Sequence, residues 1–112
     1  MTNTDKRLFI NDICFKKYGM IEKHWECDYL YMWRLPNDSN DIITYDYYFD
    51  KIRIATNVIF TDNNKPLFCL HNNIQFVEFE SKLDKLMSYY KRALIFHKIK
   101  DFQKDFEQEV QP

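Results

Sequence analysis

Apolar side chains recur along this chain with two spacings, one helical and one strand-like, and the points where the spacing changes divide it into elements. Phe9, Ile10, Ile13 and Cys14 fall at i, i+1, i+4 and i+5, on one face of a helix. Asn3-Thr4-Asp5 offers a capping residue ahead of them, and Gly19 stands where a left-handed cap would end the helix. A helix is therefore predicted over residues 5–18. From His24 the spacing becomes two. Trp25, Cys27, Tyr29, Tyr31, Trp33 and Leu35 take every odd position, which predicts a strand from His24 to Leu35. Pro36 to Asp41 reads as a turn by composition.

A second strand is predicted with Ile43, Tyr45, Tyr47 and Phe49 on one face. The apolar phase then flips to Ile52, Ile54, Val58 and Phe60, which calls for a tight turn or a bulge near residue 50; a short helix over residues 45–55 is the alternative. Asp62 to Pro66 predicts a hairpin turn between Val58–Thr61 and Leu67–Leu70. His71-Asn72-Asn73 predicts a further turn, and Ile74–Val77 a short strand. Ser81 with Asp84 three positions on resembles a helix start. Leu83, Leu86, Met87, Tyr90 and Leu94 follow on one helical face, and Ile95, Ile99, Phe102, Phe106 and Val110 continue it, rotated by one residue. No Gly or Pro interrupts residues 81–110, so one long helix is expected there, with a buried strand at Ala93–His97 as the competing reading. The predicted fold is a single α+β domain over residues 1–112. An antiparallel sheet of four or five strands carries an N-terminal helix and a long C-terminal helix packed on one face, the other face being free to stay uncovered.

Composition narrows the function. With 46% hydrophobic and 18% aromatic residues in 112 positions, the chain can build a core without metal or disulfide. Its single glycine, where average usage gives about eight, rules out a Walker loop, a dinucleotide fingerprint and a nucleophile elbow, all of which need several. Three cysteines with no CxxC read as reduced thiols, and the absence of an apolar leader or spanning segment reads as a cytoplasmic protein with no membrane partner. The net charge of −1 hides an acidic middle: residues 21–50 hold seven carboxylates against two basic side chains, between mildly basic ends.

Four arrangements of side chains point to chemistry. His24, Cys27, Cys69 and His71 supply four potential zinc ligands, although neither pair has the spacing of a zinc knuckle; no metal or cofactor is assigned. Acid–base work would draw on His24 with Glu26, or on Asp46 with Asp50, and thiol chemistry on Cys69 with His24. Such pairs arise by chance among 17 carboxylates. Tyr89, Tyr90, Lys91 and Arg92, with Lys98, Lys100 and Lys104, would serve a nucleic acid. They are interleaved with Asp84, Asp101, Asp105 and Glu107, so they read as helix ion pairs, Tyr89 or Tyr90 reads as core, and no nucleic-acid partner is assigned. The fourth is Pro36–Asp50, with four carboxylates, three tyrosines, a phenylalanine and no basic residue. Asp38, Asp41, Asp46 and Asp50 would accept charged hydrogen bonds there, while Tyr45, Tyr47 and Tyr48 would supply stiff anchors. These seven residues are the candidate surface for a positively charged protein.

From Asn57 to Tyr90 the order is strand, DNNKP turn, strand, Asn-rich turn, then a Ser-led amphipathic helix. This third of the chain resembles the small cytosolic immunity proteins that bacteria pair with secreted or contact-delivered toxins. The resemblance implies a non-enzymatic inhibitor that masks a toxin's active site, typically that of a basic nuclease, and it carries no individual residue across. A phage-encoded inhibitor of a host nuclease would belong to the same physical class. A small hydrolase or a nucleic-acid-binding module are the rivals of another class.

Overall fold

The computed structural model describes residues 1–24, 29–61 and 65–110, with side chains described as far as residue 103. Helix α1 (Asn3–Tyr18) starts two residues earlier than predicted because Thr2 is its cap: Thr2 Oγ1 accepts from the Asp5 amide at 3.1 Å, and the Thr2 amide donates to Asp5 at 3.2 Å. Gly19 ends it in the left-handed region at φ 65°, with its amide on Phe15 O and the Met20 amide on Cys14 O. Five antiparallel strands follow in sequential order: β1 (Ile21–His24), β2 (Leu30–Arg34), β3 (Ile43–Asp46), β4 (Lys51–Phe60) and β5 (Pro66–Ile74). One turn of 3-10 helix (Phe76–Glu78) leads into α2 (Phe79–Val110), whose 32 residues run unbroken for about 48 Å at 1.5 Å per residue. The α+β architecture is as predicted; no strand interrupts α2 at Ala93–His97, and no helix covers residues 45–55.

Some boundaries differ. The alternation from His24 to Leu35 belongs to two strands rather than one. β1 and β2 pair with each other, Glu22 opposite Trp33 and His24 opposite Tyr31. Even positions of the first strand thus share a face with odd positions of the second, and Trp25 and Cys27 lie outside the described residues. Tyr47–Asp50 is a turn rather than the end of a strand, and Asp50 takes a left-handed φ of 54°. It explains the phase flip: Tyr45 pairs with Ile52, so odd positions before the turn face the same way as even positions after it. His71-Asn72-Asn73 is strand, not turn. Leu70, at φ 58°, locally breaks the β4–β5 ladder where Thr56 Oγ1 donates to its carbonyl at 2.7 Å. Ser81 lies inside α2 rather than capping it.

Both helices cover one face of the sheet. Across it run Trp33, Ile43 and Ile54 in one row and Tyr31, Tyr45 and Ile52 in the next. Ile10 and Cys14 of α1, with Phe79, Leu83, Leu86 and Met87 of α2, close over them to form one core. Trp33 is wholly buried, and its indole N–H finds Asn11 Oδ1 at 3.1 Å. Tyr18 and Lys17 of α1 meet Asp84 of α2, which ties the helices together. Burial raises the Tyr18 phenol to about 12, helped by its bond to Asp84. The opposite sheet face carries Lys23, Thr44, Asp46, Lys51 and Arg53 around a buried Met32. The strand aromatics Tyr31, Trp33 and Tyr45 point to the core side, so the uncovered sheet face is polar rather than aromatic. The distal apolar set of α2 does not continue the core stripe: Ile95, Ile99 and Phe102 are exposed. No helix among the described residues is long and apolar enough to cross a membrane.

Candidate docking site

The four-residue turn between β3 and β4 is closed by the Asp46–Lys51 pair and held from three directions. Within the turn, Asp46 Oδ1 accepts from the Phe49 amide at 2.9 Å, a side chain standing in for a backbone turn bond. From below, the Tyr45 hydroxyl donates to Asp50 Oδ1 at 2.7 Å. From the side, the first turns of α1 lie against it. Asn3 Nδ2 donates to Tyr47 O at 2.9 Å, Thr4 Oγ1 meets the Tyr47 hydroxyl at 3.0 Å, and Lys6 Nζ reaches Asp50 Oδ2 at 2.7 Å. The Tyr47 amide also donates to Tyr29 O at 2.7 Å. Asp50 is held below the ordinary carboxyl range, first by Lys6 and then by Tyr45. Burial and the nearby Asp50 charge push the Tyr45 phenol up, so it stays a proton donor throughout the neutral range.

On this clamped turn two rings stand out. Tyr48 is 75% exposed and Phe49 63%, in edge-to-face contact with centroids 4.9 Å apart. Tyr48 makes no hydrogen bond among the described residues. The second oxygen of Asp46 is likewise unbonded, and Lys51 Nζ lies 6.0 Å from the Phe49 ring centroid.

The seven predicted surface residues therefore divide. Tyr47, Tyr48, Asp46 and Asp50 meet at the turn. Tyr45 does not belong to the surface: it is 0% exposed, because its position opposite Ile52 faces the core, and only its hydroxyl serves the turn from beneath. Asp38 and Asp41 sit beyond the other end of β3. Asp38 Oδ1 accepts the Asn40 amide and its Oδ2 is buried, while Asp41 pairs with Arg34. The acidity of residues 36–50 is thus dispersed rather than gathered into one patch, and at the turn Lys6 and Lys51 stand beside Asp46 and Asp50. Phe49, counted with the acidic-aromatic segment but not among the anchors, is one of its two most exposed rings. Asn3, Thr4 and Lys6 were invisible as contributors, since more than forty residues separate them from the turn.

The other arrangements resolve differently. His71 Nε2 meets the Asp41 carbonyl oxygen at 2.7 Å, His24 stacks on Tyr31 with centroids 4.4 Å apart, and Cys27 lies outside the described residues. Among the described residues no three His, Cys, Asp or Glu side chains gather as metal ligands. Cys14 is buried in the core, and that burial raises its thiol. Asp46 and Asp50, the predicted acid–base pair, are occupied in holding the turn. A cleft of about 640 Å³ opens between α2 and the β4–β5 pair; Glu78 is the carboxylate along its walls, and none of the three histidines lines it. Compared with protein-family models, curated proteins and solved structures, the chain finds no match.

Proposed function

We propose that this chain is a non-enzymatic, protein-binding inhibitor: a cytosolic immunity protein that blocks a cognate basic toxin of the nuclease type, docking through the Tyr47–Asp50 turn. One observation carries the reading. Tyr48 and Phe49 are exposed on a turn fixed by six hydrogen bonds, and neither ring is needed by the core. A turn that is already ordered loses little conformational entropy when a partner closes on it, which is what makes an exposed ring an energetic anchor. The complement is a guanidinium. An arginine of the partner stacks on the Tyr48 face and bonds the free oxygen of Asp46. In this reading Tyr45 supports the site rather than touching the partner, and Asp38 and Asp41 lie outside it. An inhibitor of a host nuclease would use the same turn and the same chemistry.

The test is calorimetric titration against the protein product of the neighbouring open reading frame. Tyr48→Ala is expected to weaken binding by about 30-fold, the loss of roughly 2 kcal/mol typical of an aromatic anchor, with an unchanged melting temperature. A Tyr48→Ala/Phe49→Ala double variant that keeps full affinity removes the turn from the interface.

A further inference from the structure

The cleft beside α2 has a composition that the docking reading does not use. Lys82, Lys85, Tyr89 and Arg92 line one wall at spacings of three, four and three residues, which puts them on one strip of the helix over about 15 Å of its axis. Lys6, Arg7, Lys16, Lys17 and Arg34 are matched with carboxylates, whereas Lys23, Lys51, Arg53, Lys65, Lys91, Lys98 and Lys100 make no ion pair among the described residues and are scattered over other surfaces. None of Lys82, Lys85 and Arg92 has a carboxylate partner among the described residues. Three cations line the cleft against one carboxylate, Glu78, and the excess of positive charge creates a potential that low-dielectric walls concentrate. The opposite wall is polar and equally uncommitted. Asn57, Asn72 and Asn73 lie along it, Asn72 opposite Ile54 on the helix-facing side of the sheet, and none of their side chains makes a hydrogen bond among the described residues. Ile54, Ala55 and Leu86 provide an apolar lining between the two walls, beside the exposed Tyr89 ring.

We propose that this cleft binds a nucleoside diphosphate or triphosphate. A single inorganic anion would use one or two of the cations and leave the ring and the Asn72 amide idle. A polyphosphate lying along Lys82 and Lys85 places an attached base one helical turn further on, against the face of Tyr89 and within the sweep of Arg92. The Asn72 amide opposite can both donate to and accept from the sugar hydroxyls and base edges. The volume lies within the range of small-molecule sites, which runs from about 300 to 1,000 Å³. The site shares no residue with the Tyr47–Asp50 turn and stands or falls independently of it.

Titration of the full chain with ADP, pyrophosphate and adenosine tests it. ADP is expected to bind saturably and more tightly than either fragment. Lys85→Glu and Arg92→Glu, both at exposed positions, should each weaken ADP by at least about 10-fold through lost charge-assisted contacts. Tyr89→Ala should weaken ADP by about 10-fold or more, the loss of one base–aromatic stack, while leaving pyrophosphate unchanged. Tyr48→Ala should leave ADP binding as it was. Absence of saturable ADP binding, equal affinity for ADP and pyrophosphate, or ADP affinity undisturbed in both charge-reversed variants would each overturn the assignment. Lys82→Gln/Lys85→Gln, which only neutralises the wall, serves as the second variant if a charge reversal unfolds the chain; wild-type ADP affinity in it refutes the site equally.

Discussion

Replacing Tyr45 by Phe separates the two tasks this residue performs. The ring is wholly buried against Tyr31 and Ile52, and Phe fills the same space, so no cavity opens. What disappears is the 2.7 Å bond from its hydroxyl to Asp50 Oδ1. A hydrogen bond to a charged group is worth about 1.5–3 kcal/mol when neither partner can be re-solvated. The Asp50 side chain is 40% exposed and keeps Lys6 at 2.7 Å, so water takes over the vacated oxygen and the cost falls to about 1–1.5 kcal/mol. For a chain of this size that is roughly a 5 °C drop in melting temperature. The pH dependence gives the sharper check. Asp50 titrates below its unfolded value because Lys6 and Tyr45 favour its ionised form. Its contribution is therefore fully present above the unfolded carboxyl pKa, near 3.9, and is lost as the pH falls through the lower folded value. Tyr45→Phe removes part of that contribution, so the difference between variant and parent should be full at pH 7 and shrink below about pH 4. Urea unfolding of both proteins from pH 2.5 to pH 7 measures it. A difference that stays constant over that range, or that is below about 0.3 kcal/mol at neutral pH, refutes the assignment of Asp50 as the acceptor that fixes the turn.

Two further outcomes follow from the packing. Asn11→Ala strands the buried Trp33 indole N–H, so it should cost about 1–3 kcal/mol in denaturant unfolding, with a shift of tryptophan fluorescence; a cost near zero would mean the N–H finds another acceptor. Leu83→Ala should cost about 2–5 kcal/mol because Leu83 is wholly buried in the core, whereas Ile99→Lys, at an exposed position, should change stability by less than about 0.5 kcal/mol. Comparable losses for the two would refute the separation of α2 into a packed half and a projecting half.

Much of this fold was legible because local and global signals agree in it. Helix α1 combined a helical apolar stripe with a glycine at its end, and the glycine adopts the left-handed cap that only it reaches without strain. Helix α2 was legible from the absence of any breaker. The β1–β2 hairpin was not, because its residues alternate without interruption: an even-numbered inward set passes into an odd-numbered one, and period-two counting reads the two arms as one strand. The distal apolar residues of α2 were misassigned for a related reason. Their helical spacing is real, but spacing states that a stripe exists and not that anything covers it. By residue 95 the stripe has turned away from the sheet.

The candidate site was legible in part, and the division follows the same logic. Proximity in sequence placed Asp38, Asp41, Asp46 and Asp50 together, yet a strand carries its two ends apart. β3 separates the first pair from the second. What unites Asp46, Tyr47, Tyr48 and Asp50 is the turn, and what makes the turn rigid comes from α1, a contribution that no local reading of residues 36–50 contains. The aromatic residues sort by strand face: Tyr45 faces the core, while Tyr48 and Phe49 are in the turn, where no face is buried. The physical basis of the site has accordingly moved from bulk negative charge to preorganised rings. It follows that added salt should alter the association rate less than the four-carboxylate reading requires, since Lys6 and Lys51 offset Asp50 and Asp46 at the point of contact.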